Sequence, residues 1–134
     1  MKLIVDTNIL FSFFWKKSVT RKLLVTSNFE LVSPITALKE LKRYSEEIMR
    51  KTTITKKEFG LELSNLQKII SFIDRKNYSN FVKEAEKISP DKADADFFAL
   101  CLKYSCFLWS NDSLLKNQNK VKVLSTEDLT EILF

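Results

Sequence analysis

The 134-residue chain suits a single domain, residues 1–134: that length buries about two-thirds of an unfolded surface, and no Pro/Gly/Ser-rich linker, repeat or low-complexity tract divides it. Its hydrophobic share of 45% and charged share of 29% are those of an ordinary globular protein, and a net charge of +5 suits a polyanionic partner as readily as a solvated basic surface. The exclusions are sharper: with no histidine and one glycine, His-dependent nucleophile systems, His-containing zinc sites, Walker A loops and Gly-rich dinucleotide fingerprints are ruled out.

In chain order, Lys2 to Val5 reads as a buried strand that stops abruptly at Asp6, Thr7 and Asn8. Asp6 or Thr7 as a helix N-cap is one reading of that stop. An acid at the carboxyl end of a central strand, where open α/β sheets bind ligands, is the other. Helical patterning follows over Asn8–Trp15 and Ser18–Thr26. Phe29–Val32 is a short strand closed by Ser33 and Pro34. Pro34 then opens a helix that runs to about Arg50, with Ile35, Leu38, Leu41, Ile48 and Met49 at helical spacing. Thr55 followed by Glu58 is a capping-box pattern for a second long helix. A short strand is predicted near Ser71–Ile73, helices over Asn77–Lys87 and Asp94–Tyr104, and a strand over Cys106–Ser110. A helical turn from Ser113, a strand in Val121–Leu124 and a helix capped through Ser125–Asp128 complete the chain. Strands alternating with helices imply an α/β fold with a parallel sheet covered on both faces.

The segment CFLWSND (Cys106–Asp112) repeats the grammar of LIVDTN, an apolar strand leaving through small polar residues and an Asp. Asp112 is therefore expected on the same sheet edge as Asp6. Between them, DKADADFF sets Asp91, Asp94 and Asp96 around a helix start, where capping and the helix dipole also favour carboxylates. Acids gathered on one edge repel: two carboxylates ~4 Å apart oppose each other by about 4 kcal/mol at an effective dielectric near 20. A divalent cation relieves that repulsion, and an oxygen-only donor set suits Mg²⁺ or Mn²⁺ better than zinc. Such a site supports metal-assisted phosphodiester hydrolysis without histidine.

Taken in order, IVDTNIL, LVSPITALKELKRYSEEI, DKADADFFALCL and CFLWSND resemble the PIN-domain family of metal-dependent ribonucleases, from residue 3 to the C-terminal VKVLSTEDL. The resemblance implies a three-layer α/β/α sandwich with a central parallel sheet and acids that converge on one or two Mg²⁺ or Mn²⁺ ions. It implies a ribonuclease that is the toxin of a VapC-type toxin–antitoxin pair or an RNA-processing enzyme, with RNA as substrate. A small antitoxin and a second copy of the chain are the implied protein partners. Carried over residue by residue, Asp6, Glu40, Asp94 and Asp112 become the catalytic acids, with Asp6, Asp94 and Asp112 holding metal. Glu40 completes the charge and orients or deprotonates the attacking water. Thr7, Asn8 and Ser110 fill small polar positions beside these acids. A one-step shift in alignment would exchange Asp94 for Asp96, and helix periodicity favours Asp94. Glu47, seven residues after Glu40, is either a fifth acid or a solvated partner of Arg43 or Lys51.

Basic residues cluster at Lys16-Lys17 with Arg21-Lys22, at Lys39, Lys42 and Arg43, and at Arg50-Lys51 with Lys56-Lys57. Lys39, Lys42 and Arg43 are the candidates for tracking RNA, since they share the helix of Glu40. The aromatic run Phe11–Trp15 reads as core or dimer interface ahead of a base-stacking platform. Cys101 and Cys106 read as small buried core residues. No signal peptide or membrane-length apolar run is present, so a cytoplasmic location away from membranes is expected. The rival function is an RNA-binding or RNA-processing module that keeps the fold with little or no turnover. A phosphatase with Asp6 as nucleophile fits poorly, because Asn8 stands where that chemistry wants a second Asp.

Overall fold

Lys2–Val5 (β1) carries Leu3, Ile4 and Val5 without exposed surface, as expected for a strand covered on both faces. In the computed structural model, which describes residues 1–134, β1 lies between Glu30–Pro34 (β2) and Phe107–Trp109 (β4). Ile70–Ile73 (β3) and Val123–Leu124 (β5) form the edges, giving the order β3-β2-β1-β4-β5 with every pairing parallel. Leu3 stands opposite Leu31 on one side and Phe107 on the other.

Thr7–Ser12 (α1) and Val19–Thr26 (α2) connect β1 to β2. Ile35–Arg43 (α3), Ser45–Thr52 (α4) and Lys56–Ile69 (α5) connect β2 to β3. Val82–Ile88 (α6) and Ala95–Tyr104 (α7) lead back to β4, and Thr126–Leu133 (α8) follows β5. From β1 to β3 the chain steps toward one edge, then returns past β1 to place β4 on its other side. Right-handed crossovers set these two groups of helices on opposite faces, which makes a three-layer α/β/α sandwich. Strand order reverses between β1 and β4, and the crevice at their carboxyl ends is where such sheets bind ligands.

The long helix predicted from Pro34 to Arg50 is in fact two. Tyr44 (φ −98°, ψ 20°) breaks it, turning its ring edge-on to Phe11, and α4 leaves at a new angle. Pro34 ends β2 and stands at the N-cap of α3 with extended backbone (φ −71°, ψ 150°), one place earlier than the first-turn position expected. The helix predicted from Asn77 begins only at Val82, after 3₁₀ turns over Arg75–Asn77 and Ser79–Phe81. Between those turns Tyr78 dives into the core, fully buried. The capping box of Thr55 and Glu58 forms as the spacing required, and Ser125 with Asp128 makes a second one on α8. Phe13 and Phe14 of the aromatic run are core, with Phe14 stacked on Phe59 at 5.0 Å between centroids. Arg21 also turns inward, over the Phe13 ring and against the Glu62 carboxylate. No helix is long and apolar enough to cross a membrane.

Candidate functional site

Asp6 answers both readings of its position at once. It is the N-cap of α1, its Oδ1 accepting the Ile9 N–H at 2.9 Å, and it lines the crevice beyond β1 and β4. Its backbone N–H extends the β1–β4 pairing by one bond, to the Trp109 carbonyl at 3.2 Å. Only 5% of Asp6 is exposed, and this burial lifts its pKa from 3.8 to about 6. The Ser110 hydroxyl and the Ile9 and Asn8 N–H groups pull the other way, while the Asp112 charge adds to the rise.

β4 delivers the second acid by the same route. Ser110, buried just past the strand, accepts the Asp112 N–H on Oγ at 3.0 Å while its hydroxyl favours the ionised form of Asp6. One side chain thereby couples the two strand exits. Asp112 turns the chain into the 3₁₀ segment Ser113–Lys116 by accepting the Leu114 N–H at 3.0 Å. Asp94 comes from the opposite side. It occupies the N-cap of α7, yet its carboxylate accepts no helix N–H, leaving it free to face the crevice. Burial first, then the charges of Asp91, Asp6, Asp112 and Glu40, raise the Asp94 pKa to about 6. Glu40 projects from α3 and is likewise raised by burial, with Arg43 and the Thr7 hydroxyl opposing. Thr7 Oγ1 is buried and has no hydrogen-bond partner of normal length.

Asp6, Thr7, Asn8, Glu40, Asp94 and Asp112 therefore line one cleft of about 150 Å³. The two remaining acids lie elsewhere. Asp96 accepts the Tyr78 hydroxyl at 2.7 Å and does not line the cleft, whereas Asp94 does. Glu47 rides on α4, past the break at Tyr44, and pairs with Lys51 at 3.0 Å as a solvated neighbour. Lys39, Lys42 and Arg43 are exposed on α3, flanking Glu40. Asn8 gives Asp6 its backbone N–H; no hydrogen bond fixes its side chain.

The donor set fits a hard divalent cation. It is made of oxygen alone, no salt bridge in the molecule engages any of the four cleft acids, and burial together with neighbouring carboxylates lifts Asp6 and Asp94 to about 6. In the present side-chain arrangement, however, no three acidic groups close tightly enough to grip one ion.

Reading the acids alone missed the apolar wall of the cleft, formed by Ala93, Phe97 and Leu115. The signal was available in the spacing. Phe97 lies one helical turn beyond Asp94, and Leu115 sits in the turn that Asp112 caps.

The PIN-domain family model matches residues 4–132. Among solved structures the chain is similar to VapBC2 from Rickettsia felis bound to a DNA fragment from their promoter. The two share 17% identity with a TM-score of 0.65, over 93% of this chain and 98% of that one. No curated protein matches the sequence. At this identity the structural likeness speaks to the fold, a parallel α/β/α sandwich, while the family match spans nearly the whole chain and includes Asp6, Glu40, Asp94 and Asp112. The chain belongs to the PIN-domain family.

Proposed function

We propose that this protein is a Mg²⁺- or Mn²⁺-dependent endoribonuclease, the toxin of a toxin–antitoxin pair that works in the cytoplasm as a homodimer. The observation that carries the reading is the set of four acids from four different elements on one cleft, with no basic side chain paired to them. Asp6, Asp94 and Asp112 are the residues to hold the ion. When bound, the ion supplies the positive charge that makes a water acidic enough to attack phosphorus. Glu40 is placed to take the proton of the attacking water or to orient it. Ser110 fixes the spacing of Asp6 and Asp112. Exposed Lys39, Lys42 and Arg43 are suited to phosphates flanking the scissile bond. The VapBC2 likeness supports a small antitoxin as partner.

A second reading, a PIN-fold RNA-binding or RNA-processing module with weak turnover, draws on the open spacing of the carboxylates. One experiment separates the two. Structured and single-stranded RNAs are incubated with the protein in Mg²⁺, Mn²⁺ or chelator, beside Asp6→Asn. Metal-dependent cleavage by the wild type alone supports the nuclease. RNA that binds and stays intact under every condition supports the binding module.

A further inference from the structure

The end of α7 remote from the acidic cleft holds the chain's two cysteines in a defined geometry. After Tyr104, Ser105 takes the left-handed conformation (φ 50°, ψ 50°), and both the Ser105 and Cys106 N–H groups donate to the Cys101 carbonyl, the latter at 3.1 Å. The bond from Cys106 is the signature of a Schellman cap, which brings the residue three places inside the helix end against the one that follows the left-handed residue. That contact is ordinarily apolar. Here its two members are Cys101 and Cys106, both free thiols.

The contact is reachable. Cys101 is buried and Cys106 half-buried, and both line an open cavity of about 280 Å³ together with Lys120 and Lys122. A second cavity, about 370 Å³, reaches Cys106 from Met1, Lys2 and Tyr104. The two thiols are also unequal. A hydrogen bond with the Cys101 thiol and the nearby Lys2 ammonium hold Cys106 below the usual thiol range, whereas burial pushes Cys101 well above it.

We propose that Cys101 and Cys106 are a modification site, a paired dithiol that a hydroperoxide oxidises to an intramolecular disulfide. The Cys106 thiolate attacks one peroxide oxygen, breaking the O–O bond, leaving Cys106 as sulfenic acid and releasing hydroxide. The Cys101 sulfur then attacks the Cys106 sulfur, the S–O bond breaks, and the Cys101 proton leaves with that oxygen as water. Two electrons pass from the sulfur pair to the peroxide. The product staples the last turn of α7 to the residue just before β4, at the end of that strand opposite the acids, so the site stands apart from the nuclease reading.

The test is intact-mass analysis of the whole protein after hydrogen peroxide, followed by denaturation and alkylation. The expected result is a mass lower by two hydrogens, both thiols blocked to alkylation in a monomer, and full labelling restored by dithiothreitol. Cys101→Ala, which keeps a small apolar group in the core, should stop at the sulfenic acid and label at Cys106 with dimedone. Cys106→Ser should take up no oxygen at Cys101. Both thiols still alkylated after peroxide, a disulfide only between chains, or direct passage of wild-type Cys106 to sulfinic acid would each overturn the proposal.

Discussion

Replacing Asp6 by Asn removes one negative charge from the cleft and keeps an oxygen able to accept the Ile9 N–H, so the variant separates the capping duty of this residue from its electrostatic one. Folding raises the Asp6 pKa from 3.8 to about 6 because the folded state buries the carboxylate. The proton is therefore held more tightly in the folded state. The associated stability is fully present below pH 3.8 and is lost as pH rises through about 6. About two pKa units at about 1.4 kcal/mol each make an ionised Asp6 cost the metal-free fold about 3 kcal/mol at pH 8. Asn escapes that cost, and allowing for its imperfect fit we expect a gain of about 2 kcal/mol, or about 8 °C in Tm for a domain of this length. Thermal melts of both proteins in chelator, at pH 8 and pH 4, are the assay. The gain should be large at pH 8 and close to zero at pH 4. A variant less stable than wild type at pH 8, or a difference independent of pH, refutes the reasoning and returns Asp6 to the status of an ordinary cap.

Ser110→Ala strips the Asp112 N–H of its acceptor and Asp6 of a hydroxyl, so it should destabilise the protein by about 1–2 kcal/mol in urea unfolding and move the Asp6 titration upward when followed by carboxyl NMR. An unmoved Asp6 titration would deny the coupling. Tyr78→Phe leaves the inner Asp96 carboxylate without its donor and should cost about 1–2 kcal/mol. Combined with Asp96→Asn it should cost less than the sum of the two single changes, and full additivity would dissolve the pair. Titration with Mn²⁺ should release about one proton at pH 6, where Asp6 and Asp94 are each half protonated, and almost none at pH 8. Calorimetry in buffers of differing ionisation enthalpy measures this, and binding without proton release would place the ion elsewhere.

Much of this molecule was legible because local chemistry and tertiary demand agree. LIVDTN and CFLWSND each end a buried strand in residues that can both cap a helix and bear charge, so one pattern gave strand, exit and acid together. Thr55 and Ser125 were legible for a similar reason: a capping box is settled within four residues. What failed was decided at long range. Nothing between Ile35 and Arg50 breaks helical periodicity, and the bend at Tyr44, where the ring meets Phe11, is what separates Glu47 from Glu40. Tyr78 likewise reads as an ordinary helical residue until the Asp96 carboxylate, eighteen positions on, is seen to take its hydroxyl. Glu40 needed the family resemblance, since a charged residue on a helix otherwise reads as solvated surface.

The pairing of β1 with β4, in which Leu3 meets Phe107 and the Asp6 N–H meets Trp109, also fixes when the site comes into being. A growing chain presents Asp6 first and must extend past residue 112 before Asp94 and Asp112 can both join it. Closing so long a loop is entropically costly, and parallel pairing at such separation is slow. Until Asp112 emerges, the four carboxylates stay scattered along an unfinished polypeptide. The acid cluster is therefore a late product of folding, absent from any chain that has not yet closed β4 onto β1.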